Sequence, residues 1–250
     1  TQCNRKKEMP KRSSLDGNIL GGGLSEYLVI PAWQIIRMPH DVDMRHAALT
    51  EPLACCIHSI RKARLKFGDT VVIIGMGIMG YFHVKLAQMC GARIIVSETD
   101  EEKRKTAIRE GAAYAFDPRQ CDVGEEIRRL TDGLGADAVI NTIPFKEVWQ
   151  QAIDMLAPYG RLIAYSSQNS KEPIGVDFGM VHSREIEFIG TLNPTIEDNQ
   201  MAVKLIGYQM IDMEKVIDRE FSFAQGKEAF DYACKPGVYR VMINYGKEDN

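Results

Sequence analysis

Short apolar runs and amphipathic stretches alternate through the middle of the chain. Val71–Ile74, Arg93–Ser97, Ala138–Asn141, Arg161–Tyr165 and Ile186–Gly190 are mainly apolar and mostly bounded by Gly, Asp or Asn; Tyr114–Asp117 is a weaker sixth run. Each reads as a strand. Between them, Phe82, Leu86 and Met89 recur at i, i+4 and i+7 before Gly91. Val148, Ala152, Met155 and Leu156 repeat that spacing before the turn Pro158-Tyr159-Gly160. These are helix faces. Strands separated by single helices predict an α/β fold, a doubly wound parallel six-stranded sheet with helices on both faces. Val71–Ile74 is continuously apolar rather than alternating, as a central strand covered on both sides requires.

The two ends differ from this middle. Residues 1–23 are polar and close on Gly21-Gly22-Gly23, a loop pattern. Tyr27–Ile30 is a strand candidate stopped by Pro31. Beyond about residue 192, a helix pattern (Met201, Leu205, Tyr208) leads to Phe221-Ser222-Phe223, a helix near Gly226–Ala233 and a final strand Tyr239–Tyr245. This tail is expected to pack on something other than the sheet.

Gly75-Met76-Gly77-Ile78-Met79-Gly80 is GxGxxG between the strand Val71–Ile74 and a helix. Alone the pattern is weak in a chain with 21 glycines; in this context it is a dinucleotide-binding (Rossmann) turn. The first glycine permits the tight turn, the second lets a pyrophosphate approach, and the third lets helix and strand pack closely. Phosphate then meets free N–H groups at a helix N-terminus. An acid should follow about twenty residues later, and Glu98 ends the second strand. Its carboxylate is expected to accept the adenosine-ribose hydroxyls and repel a 2′-phosphate, favouring NAD over NADP. No arginine stands at Thr99 or Asp100, although Lys103 can reach the ribose edge. The bland reading of Glu98 is a solvated strand end. Thr142 falls after the fourth strand, at the carboxyl edge where open sheets bind ligands.

Composition changes this picture little. With Lys+Arg 31 against Asp+Glu 34 and net charge -3, nothing global points to nucleic acid. The cluster Arg5, Lys6, Lys7, Lys11, Arg12 reads as a solvated tail or loop. Val71–Phe82 is the longest apolar run and is too short to span a bilayer. The six cysteines include no CxxC pair and read as reduced thiols. No membrane and no nucleic-acid partner are expected, and with no secretory signal visible the cytoplasm is the default compartment. The chain opens on Thr1, so a fragment or processed product is an open reading.

Several motifs together resemble the zinc-type medium-chain dehydrogenases, over roughly residues 21–246. Gly23–Ala32 resembles the strand leaving that family's zinc domain, and Glu51-Pro52-Leu53-Ala54 resembles the helix entry of its sorbitol- and threonine-dehydrogenase branch. Leu65–Val71 and Leu156–Leu162 are similar to its approaches to the first and fifth strands. The resemblance implies a cofactor domain at 51–192. It also implies remnants of a GroES-like β domain at 1–50 and 193–250. Of the zinc ligands it carries over only Glu51; the positions for a Cys, a His-Glu pair and the proton-relay Ser/Thr would precede Thr1. Cys3 would be a remnant of the structural-zinc lobe. The resemblance further places Tyr165 and Ser166 beside the nicotinamide, Gly190, Thr191 and Leu192 on its carboxamide, and Arg240 on the pyrophosphate. The plainer reading of Arg240 is a solvated cation in a final hairpin.

Glu51, before a helix expected to open at Pro52, also reads as a plain surface glutamate; Ser, Thr, Asp or Asn would cap better. Glu51, Cys55 and His58 share one helix face at i, i+4 and i+7, an arrangement that chance supplies more readily than metal binding. His40, His46, His83 and His182 show no paired spacing and read as surface or satisfied core.

The leading expectation is an NAD-dependent oxidoreductase moving hydride between a small alcohol, polyol or sugar alcohol (or the ketone) and the cofactor, with zinc assistance. One carboxylate cannot hold a catalytic zinc, which needs three protein ligands. The rival expectation is therefore an NAD(H)-binding module without zinc or catalysis. A zinc-independent quinone-type reductase is disfavoured by Glu51-Pro52. The resemblance implies an edge strand near Ile186–Gly190 that pairs across a dimer, and an unpaired edge there would invite association, so a homo-oligomer is expected.

Overall fold

The structure, a computed structural model, describes residues 24, 25, 27, 28, 32, 35–168 and 172–246. They divide into two compact units. One is Pro52–Asn193; the other gathers segments on either side of it, up to Glu51 and from Pro194 onward.

In chain order the elements are α1 (Met44–Ala47), α2 (Thr50–Ala63), β1 (Thr70–Ile74), α3 (Ile78–Met89), β2 (Arg93–Ser97), α4 (Glu101–Arg109) and β3 (Tyr114–Phe116). Then come α5 (Val123–Leu130), β4 (Ala136–Asn141), α6 (Lys146–Asp154), β5 (Leu156–Ala164), α7 (Phe178–Arg184) and β6 (Glu187–Gly190). The last are α8 (Ile196–Gly207), β7 (Arg219–Ser222), α9 (Gly226–Ala233) and β8 (Val241–Asn244).

β1 to β6 form one parallel sheet in the order β3-β2-β1-β4-β5-β6. Every residue of β1 is buried, as a strand with helices on both faces demands. On one face, Val72, Ile74, Val139 and Leu162 pack with Val123, Ile127, Trp149, Ala152 and Ile153 of α5 and α6. The predicted α/β doubly wound sheet is the observed one.

The differences are local and each has a cause. β5 begins at Leu156 rather than Arg161, and the expected turn Pro158-Tyr159-Gly160 is a bulge inside it. Ala136 pairs with Leu156 but Ala138 with Arg161, so the strand bows out between them with Tyr159 at φ 62°. Leu156 is thus a strand residue, not the end of the α6 face. α2 opens at Thr50, one turn-residue before Glu51, and holds Pro52 in its first turn, where the missing N–H costs nothing. α3 is buried nearly all round, so its face includes Tyr81, His83, Val84 and Ala87, and Met89 at its end is exposed.

Arg161 ties the amino edge of this sheet to the end of α2. Its guanidinium donates to the carbonyls of Ala63 and Arg64 and to Asp69 at 2.8 Å, with little solvent access.

In the second unit β7 and β8 are parallel, joined through α9, rather than a hairpin. The backbone N–H of Arg240, entering β8, donates to Asp218 at 3.0 Å. The buried stripe of α8 is Ala202, Val203 and Ile206, one position round from the expected Met201, Leu205 and Tyr208; Tyr208 caps the helix end and is exposed. Tyr27 and Leu28 are not in a strand, and Cys3 and the rest of residues 1–23, with Val29–Pro31, lie outside the described residues. No helix among the described residues is long and apolar enough to cross a membrane.

Candidate active site

The order of the sheet reverses between β1 and β4. The chain moves outward from β1 through β2 and β3, then returns to pair β4 along the other side of β1. Connections leave the two carboxyl ends in opposite directions, and the crevice between them is where open sheets bind ligands.

The glycine-rich turn lies at this point. Gly75 leaves β1 with φ 92°, and a Cβ there would come within 2.5 Å of Thr142 Oγ1 at the end of β4. A Cβ on Gly80 would stand 2.0 Å from the Gly75 carbonyl oxygen, so α3 starts in contact with the turn that launches it. At Gly77, the N-cap of α3, a Cβ would meet nothing within 4 Å. The space ahead of the helix is therefore open. α4, α5 and α7 each begin on an aspartate (Asp100, Asp122, Asp177) whose carboxylate accepts a backbone N–H. α3, opening on Ile78, Met79 and Gly80, has no side-chain cap and no acid in its first turn. A positive helix end left uncapped beside a crevice suits an anion.

Glu98 stands across from it at the end of β2. One carboxylate oxygen accepts the Met76 N–H at 2.6 Å, and the other accepts Asp100 N–H at 2.9 Å and Thr99 Oγ1 at 3.1 Å. The acid is thus locked to the glycine-rich turn while retaining one lone pair for a further donor. Lys103 lies in the first turn of α4, its N–H on Asp100. Two arginines absent from the sequence reading gather at the same rim. Arg104 donates to the Glu98 and Thr99 carbonyls, and Arg119, from the loop after β3, donates to Thr99 and Asp117. That hydrogen bond from Arg119 holds the Asp117 carboxyl well below the usual carboxylate range.

The other predicted residues divide. Thr142 spends its hydroxyl on the Ile74 carbonyl at 2.7 Å, closing the floor between β1 and β4. Ser166 donates its hydroxyl to Ile143 and its N–H to Asn141. Gly190 ends β6; its carbonyl accepts Lys62 Nζ at 2.8 Å, a contact the sequence did not suggest. Thr191 donates its N–H to Ala164, and Leu192 is exposed. Glu51, exposed in the first turn of α2, and Arg240 belong to the other unit.

Beneath the turn sits a polar cluster within apolar surroundings. His83 of α3 is fully buried. Its Nδ1 lies 2.7 Å from the Met79 carbonyl, which can only accept, so Nδ1 carries the proton and Nε2 accepts the Ser59 hydroxyl at 2.9 Å. Tyr165 crosses the imidazole edge-on, with ring centroids 4.8 Å apart and planes at 86°. Its hydroxyl reaches Met79 Sδ at 3.1 Å, and Cys56 Sγ lies 3.6 Å from the same hydroxyl. Tyr165 thus points into the wall of the site rather than into solvent.

Burial pushes the His83 imidazole down to about 4 from its ordinary 6.5. In the unfolded chain it titrates normally, so between those values the unfolded state binds the extra proton. Stability from this site is complete above about pH 6.5 and is lost as pH falls towards 4, by about 3 kcal/mol. Urea unfolding at pH 7.5 and 4.5 is expected to show a larger acid loss for the native chain than for His83→Phe with Ser59→Ala. Equal losses would show that the imidazole is not held neutral.

A family model for zinc-binding dehydrogenases matches residues 78–207, more than half of the 250 residues. The chain belongs to this family. Among family members, the sorbitol dehydrogenase of Halalkalibacterium halodurans is 29% identical over 230 residues, 91% of this chain and 66% of that one. The D-arabitol-phosphate dehydrogenase of Enterococcus avium is 26% identical over 243 residues, 96% of this chain and 68% of that one. A structure from Sinorhizobium meliloti 1021, described as a zinc-binding dehydrogenase bound to NADP, superposes with TM-score 0.84 at 28% identity, covering 91% of this chain and 67% of that one. The chain therefore spans about two thirds of the length of these relatives.

The family's metal has no matching ligand set among the described residues. Glu51, Cys55 and His58 do not converge; the one grouping of three possible ligands is Asp43, His46 and Glu214. There, Arg45 donates to Asp43 at 2.6 Å and to Glu214 at 2.8 Å, so a guanidinium already neutralises the carboxylates. Zinc needs three protein ligands at bonding distance.

Proposed function

We infer that this chain is the cofactor-binding part of an NAD-dependent dehydrogenase that acts on a secondary alcohol, a polyol or sugar alcohol, or the corresponding ketone. The observation that carries this reading is the uncapped start of α3, open at Gly77 and faced by a carboxylate fixed to Met76. The first-turn N–H groups of α3 would receive the pyrophosphate, and Glu98 would accept a ribose hydroxyl on its remaining lone pair. Thr142 holds β1 and β4 together under the crevice. Tyr165, Ser166 and Gly190–Leu192 would border the nicotinamide. When bound, the cofactor supplies hydride acceptance. The alcohol class rests on the polyol dehydrogenases to which the chain is similar.

In this reading residues 51–192 form the cofactor domain, and the flanking segments belong to a GroES-like domain. Glu51 would contribute to a zinc site only with ligands from beyond the described residues. The open edge at β6 would serve pairing of subunits. A second reading, which the zinc content of the chain separates from the first, is an NAD(H)-binding module without metal or catalysis.

Fluorescence titration with NADH and NADPH, followed by zinc analysis of the same sample, tests both readings. NADH is expected to bind, and more tightly than NADPH. Binding without zinc would select the second reading, and binding of neither nucleotide would overturn both.

A further inference from the structure

The cluster around His83 is buried, polar and satisfied, and no cofactor-contact pattern calls for it. It joins three elements beneath the glycine-rich turn. Ser59 comes from α2, the Met79 carbonyl from the first turn of α3, and Tyr165 from the residue after β5. The Met79 carbonyl lies one residue before Gly80, inside the glycine-rich motif. Its thioether is the acceptor for Tyr165, so backbone and side chain of one residue are both held by this cluster.

A histidine that merely filled space would be replaceable by any ring of its size. Here both nitrogens are used, in a fixed tautomer, by groups on different elements. The imidazole hydrogen-bonds to Ser59 and the Met79 carbonyl, and the Tyr165 ring lies against it edge-on. It acts as a neutral two-ended hydrogen-bonding brace, a use that an apolar side chain cannot copy.

We propose that His83 is a positioning residue of the cofactor site: braced by Ser59, it fixes Met79 and Tyr165 where they form the wall of the nicotinamide side of the crevice. This rests on the reading of the crevice as a nicotinamide–dinucleotide site. It divides the ligand into two halves. The adenosine half depends on Glu98 and the start of α3, whereas the half beyond the pyrophosphate depends on the wall His83 holds.

The test compares NADH with ADP-ribose, which lacks the nicotinamide, on the native chain and on the double variant His83→Phe, Ser59→Ala. The variant keeps a ring against Tyr165 and leaves no hydroxyl unpaired. The expected result is an affinity for NADH about tenfold weaker, with ADP-ribose within about twofold of the native value. Unchanged NADH affinity would overturn the proposal, and so would an equal loss for both ligands, which marks general damage. If the native chain binds neither ligand, the dinucleotide reading itself fails and takes this one with it. Should the double variant not fold, Ser59→Ala alone serves: it frees one end of the brace and is expected to weaken NADH about threefold, again sparing ADP-ribose. No change there would likewise overturn the proposal.

Discussion

Replacing Gly80 by alanine is expected to abolish dinucleotide binding and to destabilise the Pro52–Asn193 unit. The added methyl would lie 2.0 Å from the Gly75 carbonyl oxygen and 2.9 Å from its carbon. Neither atom is the flexible end of a side chain. Gly75 is fixed by its own N–H on Ser97 and by the proximity of Thr142 and Ile143. α3 must therefore move away from β1, and α3 is buried nearly all round. Overpacking of this kind costs about 1–3 kcal/mol, or more where backbone must shift. Chemical denaturation and NADH titration of Gly80→Ala check both parts. Native affinity with native stability would mean that the turn is more yielding than its geometry indicates.

The second large effect is expected at Glu98. Changing it to Gln keeps the side chain's size and one acceptor but removes the charge that Met76, Thr99 and Asp100 now satisfy. A charge-assisted hydrogen bond is worth about 1.5–3 kcal/mol, so NADH affinity should fall at least about tenfold. NADPH should respond oppositely. Arg119 is close enough to Glu98 to be influenced by its charge, and Arg104 is held on the Glu98 carbonyl. With the Glu98 carboxylate gone, a 2′-phosphate would meet these cations and Lys103 with Asp117 as the remaining carboxylate on the two arginines. Parallel titrations should show the preference for NADH narrowing or reversing. An unchanged ratio would remove Glu98 as the selector of cofactor.

The glycine-rich turn and Glu98 were legible because their signal is local. Strand, glycines, helix and acid follow one another within one 12-residue helix and its two flanking strands, and packing leaves little choice. Arg119 was not legible. It reaches Thr99 only because Ser97 pairs with Phe116, a register that a weak, short edge strand does not announce. His83 sat in plain view between Phe82 and Val84. Its environment allowed a core histidine, but its partner Ser59 lies on a different helix, and helix packing leaves no mark on single-sequence spacing. β5 was shortened because Pro158-Tyr159-Gly160 has the composition of a turn; that a strand continues through it depends on the pairing of Ala136. The parallel pairing of β7 with β8 was hidden for the same reason, since two short strands say nothing about direction.

The pairing of β1 with β4 has a bearing on how the molecule reaches its working form. These neighbours in the sheet are separated in the chain by two strands and three helices. Their contact closes a long loop, so it belongs among the late and slow events of folding. The crevice does not exist until that closure is made, because Thr142 and the end of β1 are its floor. A ligand seated there stabilises only chains that have completed the sheet. NADH added during refolding should therefore leave early collapse untouched and trap the finished topology, making occupancy a reporter of complete folding.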